Sequence, residues 1–346
     1  MPPPNTLFIP TTARSHSEAA FTEMRFALDQ ELGLIDNFDD LMGGGDYLHL
    51  PRHGRFSAGF DRVDVTGTLT TAITPSTMTY KDQVAPVLHR SMLMEFYGVE
   101  PERAIKLTAE EFSAEIGRQI AVEAILTMIL DLYRIAKAAF YTVGTSHRYS
   151  PYVDTAVVGN QVTMSAPVMQ TAKALMGDNQ MMLDLGIMHS KQWSDLTKSS
   201  ISSTYNVFNI MGDVYKGGQF RELLGTSWLV DDRIPTDAGA SATKYSAVIL
   251  RSRKNANTGN APFAMGLQRP LVIYDQHVLG AQSIKFQRQP EISYALCPFG
   301  KAWDVTGGGA NPSTVNLTNA TLWLDAYASA VASGHREVGG VLLQTN

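Results

Sequence analysis

Residues 108 to 140 constrain this chain more than any other stretch. Thr108 and Glu111 have the spacing of a capping box, in which a hydroxyl and a carboxylate satisfy the orphan amides of a helix start. Behind them Phe112, Ile116, Ile120, Ile125, Leu126, Ile129, Leu132, Tyr133, Ala136 and Phe140 recur at helical spacing. Glu110, Glu111 and Glu115 sit early, Arg134 and Lys137 late, as the helix dipole favours. The pattern predicts one helix roughly 45 to 50 Å long at about 1.5 Å per residue. That is long for a globular protein.

What precedes it is of another kind. Residues 1–45 read as an arm. Pro2, Pro3 and Pro4 favour an extended start. Ser15 and Glu18 form a second capping-box pattern, predicting an amphipathic helix with Phe21, Met24, Leu28 and Leu32 on one face and a stop at Gly33. From Asp29 to Asp46 there are six acids and no base. Gly43, Gly44 and Gly45 read as a hinge, because no Lys-Ser/Thr follows to make a phosphate-binding loop.

From Tyr47 to about Thr79 the pattern becomes short alternation, with Val63, Val65, Leu69 and Ile73 among many threonines. Dense threonine suits a two-faced ribbon better than a buried sheet. Such a ribbon buries too little apolar surface to stand alone and must lie on something else. Asp82 to Tyr97 reads as a short mixed segment.

After Gly144 short helices and strands are interspersed. Ala166–Met176 and Ser190–Lys198 read as helices, the latter capped by Ser190. Leu185–Met188, Gly225–Val230, Tyr245–Leu250, Leu271–Tyr274, Ser283–Leu296 and Val338–Leu343 read as strands, and Asn316–Ala332 has helix-like spacing. Interspersed rather than alternating elements give an α+β fold class.

Composition narrows the function. With 28 basic and 33 acidic side chains the net charge is −5, so the chain is no general nucleic-acid binder. One cysteine, Cys297, excludes a disulfide framework and a thiolate metal cluster. No apolar run approaches the roughly 20 residues of a membrane span. Met1-Pro-Pro-Pro does not resemble a signal peptide, so a soluble protein made inside the cell is expected. His49 and His53 have no third ligand nearby and read as surface histidines. His189 and Ser190 are adjacent and cannot form a catalytic relay. Asp231 and Asp232 fit turn chemistry before Pro235. One charge feature remains: Lys244, Arg251, Arg253, Lys254, Arg269, Lys285, Arg288 and Lys301 face only Asp275 and Glu291 between residues 244 and 301. Subunit contact, apposition to phosphate and a plain solvated face all fit it.

The order of arm, ribbon, long helix and α+β domain resembles tailed-phage major capsid proteins of the bacteriophage Hong Kong 97 type. Several stretches carry the likeness. Thr74-Pro75-Ser76-Thr77-Met78 followed by Val84–Arg90 is similar to that family's return strand. Gly186-Ile187-Met188-His189-Ser190 resembles its strand-to-helix step. Leu223–Pro235, with Asp231-Asp232 near its end, resembles its "DD.iP" strand. Tyr294–Trp303 is similar to its "hP.G..W" segment, and Asn311-Pro312-Ser313 through Trp323 to the final Gln344-Thr345-Asn346 resembles its closing segment.

The resemblance implies a Hong Kong 97-like capsid fold: an N-terminal arm (1–45), an extended E-loop (46–85) and a peripheral domain with a spine helix (86–149). A mostly axial domain (150–304) and a C-terminal segment (305–346) follow. It implies a structural protein assembling as hexamers and pentamers into an icosahedral head around double-stranded DNA, built in the host bacterial cytoplasm. The implied partners are further copies of itself, a scaffolding protein, a portal, the packaged DNA contacted non-specifically and, as a further candidate, a decoration protein. Phe21, Met24 and Leu28 of the arm and Arg52, Arg55 and Arg62 of the ribbon are the candidate inter-subunit contacts. No cofactor, metal or catalytic residue is expected. Some shells of this type join an E-loop lysine to an asparagine; here the ribbon has only Lys81, beside Asp82, so a non-covalent shell is expected. The alternative is an intracellular α+β enzyme, hydrolase-like and without a recognisable motif.

Overall fold

The computed structural model describes residues 10–26, 33–38, 45–56, 78–97, 109–141, 147–202, 220–223, 225–252, 261–279, 284–326 and 338–346. In chain order the elements begin with α1 (Pro10–Phe26), β1 (Ile35–Phe38), β2 (Tyr47–Phe56), β3 (Met78–Ser91), β4 (Met94–Tyr97) and α2 (Ala109–Ala139). The middle of the chain gives β5 (Arg148–Tyr149), α3 (Ala166–Ala174), β6 (Leu183–Met188), α4 (Ser190–Ser202), β7 (Phe220–Leu223), β8 (Thr226–Val230), β9 (Asp237–Ala238) and β10 (Thr243–Arg251). The last third gives β11 (Phe263–Leu279), β12 (Ile284–Pro298), β13 (Lys301–Trp303), α5 (Val305–Gly308), α6 (Thr314–Leu317), β14 (Trp323–Asp325) and β15 (Gly340–Thr345).

Two sheets share one core. The first runs β1-β11-β12-β3-β2, with β4 joined to the outer half of β12. The second runs β5-β15-β10-β6-β8-β7, with β9 on β10. The long helix α2 serves both. Ile120, Met128, Leu132, Tyr133, Ile135 and Phe140 are buried in a cluster that also holds Ile249 and Leu342 of the second sheet and Phe263 and Tyr294 of the first. The Tyr133 hydroxyl donates to the Ser246 carbonyl at 2.8 Å, and burial pushes that phenol above its ordinary range. An amphipathic face with a polar handle on each side is what lets one helix bridge two sheets.

Helix α1 lies along α2. Ala13, Ser17, Ser113 and Gly117 are all small, and the first three are wholly buried. The chain comes so close that a Cβ at Gly117 would lie 2.3 Å from the Ala13 carbonyl oxygen. The start of α1 differs from expectation. It opens at Pro10, where a missing amide costs nothing. Ser15 lies inside the helix and its hydroxyl donates to the Thr12 carbonyl, while Glu18 pairs with Arg14 at 2.8 Å. The Ser-x-x-Glu spacing is here an interior pattern and not a cap.

Further readings are corrected. Residues 82–97 are not a mixed segment: β3 runs from Met78 through residue 85 to Ser91, and β4 follows after Met92 and Leu93. Ser190 is the first helical residue of α4, and the cap is His189, whose Nδ1 accepts from the Lys191 amide at 3.1 Å. Strands 271–274 and 283–296 prove to be parts of one long hairpin, β11–β12, with register shifts between Leu267 and Arg269 and between Arg269 and Val272. Pro270, which has no amide to donate, sits inside that irregular stretch. In the stretch 316–332, which has helix-like spacing, the described residues up to 326 give the short α6, a 3₁₀ turn and then β14, and 327–332 lie outside the described residues.

Local motifs have packing reasons. Gly186 of β6 lies opposite Trp228 of β8, and a Cβ there would stand 2.2 Å from the indole. Trp303 and Trp323 face one another across the β13–β14 pair, ring centroids 5.0 Å apart and edge-on.

Candidate assembly surfaces

The ribbon begins as an antiparallel pair. Tyr47 to Phe56 of β2 lies opposite Pro86 to Met78 of β3, and from Val87 onward β3 pairs with β12 instead. Its base is anchored by a small apolar cluster in which Leu48, Leu50, Ala85 and Val87 meet Ala264, Ala295 and Cys297. Among the described residues β3 has only β2 beside it beyond that base, and β2 ends the sheet. The expected strands at Val63–Ile73 lie outside the described residues. The expected pairing of Lys81 with Asp82 involves a side chain outside the described residues. Successive strand residues point to opposite faces, and the Asp82 carboxylate meets His49 Nδ1 at 2.6 Å on the diagonal of the pair.

Of the six candidate contact residues, Phe21 is buried in the chain's own core and Met24 is half-buried against it. Arg52 lies opposite Lys81 in the register of β2 and β3. The side chains of Arg52 and Arg55, and all of Leu28 and Arg62, lie outside the described residues. The structure brings Phe21 and Met24 together on α1, inside the subunit.

The basic stretch is not one face. Arg251, Arg288 and Lys301 are buried, Arg269 is exposed beside Glu291, and Arg253 and Lys254 lie outside the described residues. Lys301 ends on Asp325 at 2.5 Å and Arg251 stacks on the Phe299 ring. Arg251, Arg288 and Lys301 point inward because successive strand residues alternate between the two faces, which a count along the sequence cannot see.

A charged cluster that the helical pattern hid lies under the ribbon's foot. Asp131 is fully buried on the apolar side of α2. Its Oδ2 accepts from Arg90 Nε at 2.6 Å and from the Tyr294 hydroxyl at 3.0 Å, and its Oδ1 from Arg134 at 2.9 Å. Burial opposes the charge on Arg90, but Asp131 outweighs it and holds the guanidinium more firmly protonated than usual. Burial, with the Asp131 charge behind it, pushes the Tyr294 phenol far up and keeps it a donor. The cluster ties β3, β12 and α2 into one piece where the ribbon leaves the body. Its only signal in the sequence is a lone acid inside the run Met128-Ile129-Leu130-Asp131-Leu132.

At the other sheet, Asp154 gathers the turn before β10. It accepts from the amides of Ser241 at 2.8 Å, Ala240 at 2.9 Å and Ala242 at 3.1 Å, and these bonds hold its carboxyl below the usual range. The Asn346 side chain accepts from Val153 and Val162 amides at 3.2 and 3.0 Å. Among the described residues no group of acids, histidines or cysteines could hold a metal ion, and no helix is long and apolar enough to cross a membrane.

Two sheets on one long helix, with an arm helix laid along it and a ribbon leaving one sheet edge, form the Hong Kong 97-like fold of tailed-phage major capsid proteins. The chain is similar over 92% of its length to 91% of a chain of the cyanophage Pam1 capsid asymmetric unit, at 10% identity and TM-score 0.53. It is similar over 90% of its length to 87% of a chain of the Ralstonia phage GP4 capsid, at 10% identity and TM-score 0.52. No curated protein matches it. A model of the Gp13-like family, described as major capsid protein 13-like, matches residues 44–342. The chain belongs to that family. It is a structural protein of the virion capsid, which is built from many copies of it. The hydrolase alternative finds no support in family or fold.

Proposed function

We propose that copies of this chain assemble as hexamers and pentamers into an icosahedral head enclosing double-stranded phage DNA. The subunits are made and assembled in the host bacterial cytoplasm, with a separate scaffolding protein, around a portal. The chain carries out no catalysis and needs no cofactor. The observation that carries the reading is the family match over residues 44–342. In this scheme residues 1–45 are the arm, 46–85 the E-loop, 86–149 the peripheral domain, 150–304 mostly the axial domain and 305–346 a closing segment. Residues Leu28, Arg52, Arg55 and Arg62 are inter-subunit contacts, and Phe21 and Met24 support the arm from within. The packaged DNA is contacted without sequence preference, and a decoration protein is a further partner.

The ribbon supports this scheme physically. A two-stranded pair is marginal alone in water, so its outer part gains stability by lying on a neighbour. Replacing residues 54–74 with a short linker should leave a soluble, cooperatively melting subunit that sediments as small species, while the intact chain co-produced with its scaffold gives closed shells by electron microscopy. Normal shells from the shortened chain would remove the ribbon from the assembly mechanism. The shell should also be non-covalent: a denaturing gel of boiled particles should show monomer near 37.8 kDa, and a ladder lost on Lys81→Arg would show a lysine cross-link.

A further inference from the structure

Lys244, the base that opens the stretch 244–301, has no ion pair among the described residues. It stands on β10 opposite Asp237 of β9, but Lys137 of α2 takes that carboxylate at 2.6 Å. The half-buried Lys244 ammonium lies instead over the Tyr152 ring, 5.4 Å from its centroid. Burial first and the Arg148 charge second push its pKa below the ordinary range; Asp237 opposes them and Lys137 adds to them.

Arg148 of β5 is held in one pose. Its guanidinium lies 4.2 Å from the centroid of the Tyr141 ring, and its Nε donates to Gln344 Oε1 at 2.9 Å. Nη1 and Nη2 meet no acceptor among the described residues. Asp154, the carboxylate beside Tyr152, spends its oxygens on three amides and the Tyr152 hydroxyl.

Three cations thus share the corner where the end of α2 meets the start of β10, and the one carboxylate among them is already paired. Like charges gathered without a counter-charge repel one another, and a bound anion relieves that repulsion. Two aromatic rings hold the long side chains in place, so an anion pays little to order them. A carboxylate offers two coplanar oxygens, both of which an arginine fork takes. A phosphate has further oxygens outside that plane, so one group can meet the fork and a lysine ammonium together.

We propose that Arg148 and Lys244 bind a phosphate group, and that a backbone phosphate of the packaged duplex fills this site in the particle. The second half rests on the shell enclosing DNA; the first half does not. Backbone phosphates carry no sequence information, so such a site gives contact without sequence preference.

Lysine footprinting tests both halves, because an amine is acylated only when uncharged and a bound anion holds it charged. In the unassembled full chain, inorganic phosphate should slow acetylation of Lys244 about tenfold by mass spectrometry, where chloride at equal ionic strength does not. Lys191, already paired with Asp195, should not respond. Arg148→Gln should abolish the phosphate effect while Lys244 keeps its chloride-buffer reactivity. An unchanged Lys244 rate in phosphate, or an effect that survives Arg148→Gln, overturns the site. In DNA-filled particles Lys244 should react about tenfold more slowly than in particles emptied of DNA. Equal protection in full and emptied particles would mean that a neighbouring copy covers Lys244, and it overturns the duplex as occupant. Failure of the unsubstituted chain to form DNA-filled particles even with its scaffold overturns the shell reading, and the duplex falls with it; the phosphate measurement on the unassembled chain still decides the site.

Discussion

The carbonyl oxygen of Ala13 fills the place a side chain at Gly117 would need, at 2.3 Å from the position of a Cβ. This single contact sets how closely the arm helix lies on the long helix. Glycine to alanine inside a helix ordinarily gains about 1 kcal/mol. Here overpacking costs about 1–3 kcal/mol and outweighs that gain. Gly117→Ala should therefore loosen α1, read as faster tryptic cleavage at Arg14 and Arg25. Cleavage at the unsubstituted rate would mean that α1 does not seat on Gly117.

Asp131 should matter more than its uncharged partner. Asp131→Asn leaves Arg90 and Arg134 without their counter-charge in a buried place, an expected loss of about 3–5 kcal/mol. Tyr294→Phe removes one hydrogen bond to a charged group, about 1.5–3 kcal/mol. Urea unfolding of both variants tests the order, and a reversed order would show that the pair's charge is not what the cluster holds.

The apolar face of α2 should be the stability centre. Ile120 is 1% exposed, and Ile120→Ala should cost about 2–5 kcal/mol, cavity included. A thermal or denaturant midpoint within about half a kcal/mol of the parent would contradict that burial.

The Asp154 turn should be acid-sensitive. Its carboxyl is held below the ordinary 3.8 chiefly by the amides of Ser241 and Ala240. A lowered carboxyl contributes stability that is complete above the ordinary value and is lost as pH falls through the lowered one. Hydrogen exchange at the amides of residues 240–242 should stay slow above about pH 4 and speed up below the lowered value. Protection that ignores pH across that window would exclude the carboxylate as the turn's anchor.

Asn346→Ala should free the 153–162 segment. It removes the acceptor of two amides and the donor to the Val153 carbonyl at 2.8 Å, at about 1–3 kcal/mol. The gain in hydrogen exchange should be confined to residues 153–162, and a change spread across α2 would point to global loosening instead.

The sequence by itself determined the elements whose physics is local. The apolar repeat of residues 109–139 dictates a helix because every turn offers the same face to a core, and the short apolar run at Tyr245–Leu250 suits a strand buried on both faces. The strand-to-helix step at Met188-His189-Ser190 and the turn at Asp231 were also legible, since amides find their caps within a few residues. Tertiary structure decided the rest. It joined two short strand patterns into the β11–β12 hairpin, sent Arg288 and Lys301 inward, and put Asp131 of a helix against Arg90 and Tyr294 of two distant strands. A buried charge is stable only where its partners converge, and those partners come from segments 41 and 163 residues away. Spacing along a chain fixes which face a side chain occupies. Only the folded chain fixes what stands opposite.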